Sequence, residues 1–192
     1  MFLSTPTSPE AAAFLEKERA SSGFVMNLER AWAWRPDIAE GFIALRRQLM
    51  EATTLTSREL ALLVCTTART LGDSYCALAW GARLAEQADA AMAASVLSGA
   101  DDKALAPRER ALARWGAQVA RDPNSTTADD VEALRTAGLS EREIFEATAF
   151  IGFRLAFSTV NDALGAQPDA QLVAAAPPGV RAAVTYGRKP AA

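Results

Sequence analysis

Helix-start chemistry recurs along this chain from end to end, and no segment carries the alternating polar–apolar pattern of a strand. Ser8-Pro9-Glu10 reads as an N-cap, a proline at the first helical position and an acidic first turn. Pro36-Asp37 repeats that logic. Thr56-Ser57-Arg58-Glu59 and Ser140-Glu141-Arg142-Glu143 are capping boxes, in which the hydroxyl and the glutamate each satisfy a free backbone amide. Pro107 and Thr127 open two further helices, and Gly23, Gly99, Gly138 and Gly165 close others. The chain is therefore read as all-α. Helices are predicted over 9–20, 25–34, 36–52, 57–70, 74–87, 89–97, 107–121, 128–137 and 140–164. The last is apolar all round, as a central or interface helix would be.

Composition agrees. Half of the residues are hydrophobic, much of that is alanine, and aromatics are only 7%; this favours helix over sheet. With 192 residues the chain is long enough for one domain with a real core. The predicted division is an N-terminal arm over 1–24, a helical domain over 25–170 and a tail over 171–192 lying on the surface or on a neighbouring subunit. Leu55–Leu62 echoes Leu105–Leu112. Either two related halves or one helix-start pattern used repeatedly accounts for that echo.

Charge and residue usage exclude several functions. The net charge is -3 with both signs interspersed, so no basic face points to nucleic acid. No apolar run approaches the ~20 residues of a membrane span, and Met1–Pro6 lacks the pattern of a secretory signal; a cytoplasmic location is expected. There is no histidine. Imidazole-based metal sites and a Ser-His-Asp triad are thereby excluded, and no metal or other cofactor is expected. Any proton relay must use carboxylate, tyrosine, water or a thiol.

The segment Leu71–Gly81 is where chemistry concentrates. With Asp73 as N-cap, Cys76 falls in the first turn of a helix, where free amides and the macrodipole favour a thiolate. The charge of Asp73 works against one. Trp80 and Arg83 follow on the same face, Trp80 as an apolar wall and Arg83 as a cation near the sulfur or a partner for Glu59. A reactive Cys76 and a merely packed Cys76 both fit the spacing. Cys65, in the middle of an apolar helix, is read as core.

Glu59, an apolar helix, and Tyr75-Cys76 opening the next helix resemble the core of the AhpD-like alkylhydroperoxidases, within the carboxymuconolactone decarboxylase superfamily. Leu105–Leu112, Ala120-Arg121-Asp122-Pro123, Leu134–Ser140 and Asn161–Gly165 are similar to its peroxidase-related branch, and so are Arg35-Pro36-Asp37 and Leu49-Met50. The resemblance covers roughly residues 25–170. It implies an AhpD-like bundle of about eight or nine helices, a homo-oligomer (trimer or hexamer), and a thiol peroxidase. In that family a Cys-x-x-Cys-x-x-x-His motif and an upstream glutamate reduce peroxides. By position Cys76 matches the peroxidatic cysteine, Asp73 stands where the resolving cysteine belongs, and Trp80 where the histidine belongs. Glu59 matches the upstream acid if the turn is about two residues longer. The resemblance thus implies catalytic Cys76, Glu59 and Asp73, with Tyr75, Trp80 and Arg83 lining the pocket. The substrate is a hydroperoxide and the reductant an external thiol or reductant protein. The alternative is a non-redox enzyme, of decarboxylase or isomerase type and acting on an organic acid, or a small-molecule-binding helical oligomer that has lost its dithiol centre.

Overall fold

The computed structural model describes residues 1–100 and 104–191. Among them there is no strand. The helices are α1 (Pro9–Ser22), α2 (Asn27–Trp32), α3 (Pro36–Ala52), α4 (Ser57–Leu71), α5 (Ser74–Gln87), α6 (Ala90–Ser98), α7 (Pro107–Arg121), α8 (Ala128–Thr136), α9 (Glu141–Ala163), α10 (Ala170–Ala175) and α11 (Pro178–Ala183).

The expected caps are present. Thr56 Oγ1 accepts from Glu59 N, and Ser140 Oγ from Glu143 N, while each glutamate accepts back from the cap amide. Asp73 and Asp89 cap α5 and α6. Four residues of α4, Leu62, Leu63, Val64 and Cys65, are each at most 1% exposed, so α4 runs through the middle of the molecule. It packs on α5 on one side and α7 on the other. α9 closes the core with Phe150 and Ile151, both fully buried.

α4 and α7 lie with their N-terminal ends side by side, and there they exchange charges. Arg58 Nε reaches Glu109 Oε1 at 2.5 Å, and Arg108 Nε reaches Glu59 Oε1 at 2.6 Å. Arg108 also reaches Glu143 at the head of α9 (2.6 Å). The echo between Arg58-Glu59 and Arg108-Glu109 thus has a structural role: two similar helix starts lock reciprocally.

The C-terminal segment departs from a surface tail. α11 packs against α6 and α5, and Val180 is fully buried. Gly81 makes this approach possible, because a Cβ there would lie 2.6 Å from Leu97 Cδ1 and 2.7 Å from Val180 Cγ1. The last residues return over the α4–α5 turn, where Ser74 Oγ donates to Arg188 O (2.7 Å). The sequence hides this because residues 170–183 are small and apolar without a strong period. At the other end, Ala11 and Phe14 of α1 form a small second core with Ala33 and Ala39.

Candidate functional site

Cys76 sits where the cap chemistry puts it. Gly72 adopts a left-handed conformation (φ 75°) that ends α4, and Asp73 then caps α5. Asp73 Oδ1 accepts from Cys76 N at 2.9 Å, which fixes the cysteine in the first turn. Its thiol faces α9, and there the sequence reading is incomplete. Arg154 Nη2 donates to Cys76 Sγ at 2.7 Å. Ser158, one turn further along, donates to Asp73 Oδ2 at 2.6 Å and lies 3.9 Å from Cys76 Sγ. Cys76, Asp73, Arg154 and Ser158 are all buried.

Arg154 is unusual in its company. It is 2% exposed, its Nε has no hydrogen-bond partner, and no carboxylate lies within ion-pair distance among the described residues. A guanidinium stays charged in proteins, and a buried charge without a counter-charge is costly. Its guanidinium carbon lies 4.9 Å from the Phe157 ring and 5.6 Å from the Trp80 ring, contacts that offset part of that cost. The sulfur is its remaining partner. Burial pushes the Cys76 thiol up to about 12; Arg154 opposes the shift, Asp73 adds to it, and Ser158 pulls it down. The helix N-terminus alone therefore does not produce a resting thiolate. The thiol is protonated at neutral pH, with a cation poised to receive negative charge on sulfur and a carboxylate beside it.

The thiol opens onto a cavity of about 290 Å³, lined by α1, α2, α3, α5 and α9. Trp32, Phe42, Trp80 and Phe157 form its walls; Trp32 stacks on Phe42 (5.6 Å between centroids) and on Phe157 (5.5 Å). Arg83 stacks over Trp80 at 4.5 Å. Tyr75 lines the cavity too and gives its hydroxyl to Asp169, and burial followed by that bond pushes the phenol up. Arg46 of α3 completes the lining near the thiol, while Glu18 and Glu29 belong to the same cavity. Burial, then Glu18 and Asp169, raise Glu29 to about 7.

Of the residues singled out from the sequence, Cys76, Asp73, Tyr75, Trp80 and Arg83 come together here. Glu59 does not. It sits in the first turn of α4, and the turn leading to Cys76 follows the last, about 18 Å of helix away. Its carboxylate caps Thr56 N and pairs with Arg108, so the position expected of a catalytic acid is a structural one. For the same reason Arg83 does not pair with Glu59 but lies on Trp80. Cys65 is fully buried in the core, and both cysteines are free.

Arg154, Ser158 and Arg46 were not identified as site residues from the sequence. A signal existed. Arg154 and Ser158, four apart, are polar interruptions in a helix otherwise written in Phe150, Ile151, Phe153, Leu155 and Phe157.

Among the described residues, no group of three or more acidic or cysteine side chains is placed to hold a metal ion, and no helix is long and apolar enough to cross a membrane.

No protein-family profile and no curated protein sequence matches this chain. Solved structures do. An AhpD-core, peroxidase-related protein of uncharacterised function from Ralstonia eutropha superposes with a TM-score of 0.73 at 26% identity, over 88% of this chain and 93% of that one. A peroxidase-related protein from Silicibacter sp. gives 0.76 at 22% identity, over 89% and 93%. The debrominase Bmp8, in a complex with 2,3,4-tribromopyrrole, gives 0.72 at 17% identity, over 90% and 95%. The all-α fold is the AhpD-like fold, and the structural relatives include AhpD-core and peroxidase-related proteins, as the resemblance around Cys76 implies, beside a debrominase.

Proposed function

We propose that this AhpD-like chain is a thiol-dependent peroxidase that reduces an organic hydroperoxide through a single cysteine, Cys76. The observation that carries the reading is the buried Arg154 guanidinium 2.7 Å from Cys76 Sγ. It supplies charge stabilisation on sulfur without the histidine that the chain lacks.

In this reaction Asp73 takes the thiol proton, with Ser158 bonded to the same carboxylate. Sulfur attacks the outer oxygen of R–O–O–H. The O–O bond breaks as the S–O bond forms, and the departing alkoxide receives the proton. Cys76 is oxidised to the sulfenic acid and the hydroperoxide is reduced to the alcohol. One molecule of an external thiol condenses with the sulfenic acid and releases water. A second attacks the mixed disulfide, giving the external disulfide and Cys76 thiol. Asp73 occupies the position of a resolving cysteine, so resolution comes from outside.

The test is consumption of cumene hydroperoxide with dithiothreitol. Wild type turns over and Cys76→Ser does not; equal turnover by the variant refutes the reading. A second reading is non-redox chemistry or binding in the same aromatic cavity. It is favoured by the protonated resting thiol and by the fold likeness to a debrominase. It predicts ligand binding with no hydroperoxide consumption.

A further inference from the structure

We propose that the cavity beside Cys76 takes the monoanion of a flat, unsaturated organic acid, with the acid group between Arg46 and Arg83 and the reactive end toward Cys76 Sγ. This rests on the reading of Cys76 as the reacting group only for the orientation, not for the binding.

Three cations from three helices, Arg46 on α3, Arg83 on α5 and Arg154 on α9, line this one cavity. Among the described residues none of them has a carboxylate within ion-pair distance. By contrast, Arg58 and Arg108, at the other end of α4, are each paired with glutamate at 2.5–2.6 Å. Arg46 feels the charges of Arg83 and Arg154. Burial lowers Arg46, Arg154 and Arg83 lower it further, and among its resolved influences only Cys76 acts in the opposite sense. Arg154 is buried and Arg46 half-buried, while Arg83 is exposed and solvated; a cavity wall with two sheltered guanidiniums and no paired carboxylate is electrostatically incomplete. An anion completes it. Arg154 is already engaged by sulfur, so Arg46 and Arg83 are the pair left to hold a carboxylate, whose planar geometry guanidinium matches.

The shape selects further. A cavity of about 290 Å³ is at the small end of ligand pockets (roughly 300–1,000 Å³), which suits a single ring or a short conjugated chain. Its walls are indole and phenyl faces, which favour a flat π-system. Glu18 and Glu29 line the same cavity. A ligand with acid groups at both ends would meet Glu18 and Glu29, so the fit is to a monoanion.

The experiment is isothermal titration calorimetry on the reduced wild-type protein with benzoate and trans-cinnamate, each against its neutral amide. Neither ligand is an oxidant, so binding is read without turnover. The expected result is at least tenfold tighter binding of an acid than of its amide, reduced at least fivefold by Arg46→Gln and by Arg83→Gln, and weakened by added salt. Equal affinity for acid and amide, no binding of either acid, or unchanged affinity in both variants overturns the proposal. Hydroperoxide consumption by Cys76→Ser is measured separately. If that variant also consumes peroxide, the redox reading fails while acid binding stands. If acid binding fails while Cys76 is still required for peroxide consumption, only the substrate assignment falls.

Discussion

Replacing Arg154 by methionine removes the cation at Cys76 and leaves a side chain of similar length in its place. The Nη2–Sγ contact is 2.7 Å and both groups are buried. A hydrogen bond to a charged group contributes about 1.5–3 kcal/mol. At 1.36 kcal/mol per unit, its loss raises the thiol by about 1–2 units. Well below the pKa, the thiolate population then falls about 10–100-fold. A more basic thiolate is a better nucleophile, with a Brønsted coefficient of about 0.4–0.5, which recovers roughly half of that loss on a logarithmic scale. Alkylation of Cys76 by iodoacetamide at pH 8 should therefore slow about 3–10-fold. Arg154→Lys keeps the charge and should fall between. Stability should not suffer, because no carboxylate within ion-pair distance is left stranded; a buried charge replaced by an apolar chain is often neutral or stabilising. A variant that melts as wild type does and alkylates at the wild-type rate or faster would refute the assignment of Arg154 to the sulfur.

Three further outcomes separate structure from chemistry. Glu59→Gln should cost about 1–2 kcal/mol in urea unfolding, because it weakens the half-sheltered pair with Arg108; Cys76 alkylation should not change, and a fall there would restore a proton-transfer role to Glu59. Gly81→Ala should destabilise by about 1–3 kcal/mol, since its Cβ would press on Leu97 and the stiff Val180; proteolysis should show residues 178–191 released first, and unchanged stability would mean that α11 is not tightly docked. Glu29, raised to about 7 chiefly by burial, ionises in the unfolded chain before it does so in the folded protein. Its contribution to stability is therefore greatest below about 4.5 and is lost as pH rises to about 7. The melting temperature of Glu29→Gln relative to wild type should be more favourable at pH 8 than at pH 4.5, and a constant difference would show that Glu29 is not raised.

The helices were legible because they are specified locally. Thr56 with Glu59, Asp73 with the Cys76 amide, and Ser140 with Glu143 are cap pairs within three residues, and such pairs do not depend on the rest of the fold. The position of Cys76 in its helix followed from them. The partners of that cysteine are 78 and 82 residues away in the chain, on α9, and nothing local announces a contact of that range. The misplacement of Glu59 has the same origin. Motif alignment orders residues along the chain, but a helix of fifteen residues separates them in space. The docking of residues 170–183 was hidden because small side chains that fill a groove look the same in sequence as small side chains on a surface.

Single-turnover oxidation tests the central claim most directly. Reduced protein is mixed with one equivalent of cumene hydroperoxide in the presence of dimedone, and the modified residue is located by peptide mass spectrometry. The account predicts one dimedone adduct, on Cys76, formed with one equivalent of alcohol, and absent in Cys76→Ser. An adduct on Cys65 instead, or alcohol formed at the same rate by Cys76→Ser, would contradict it.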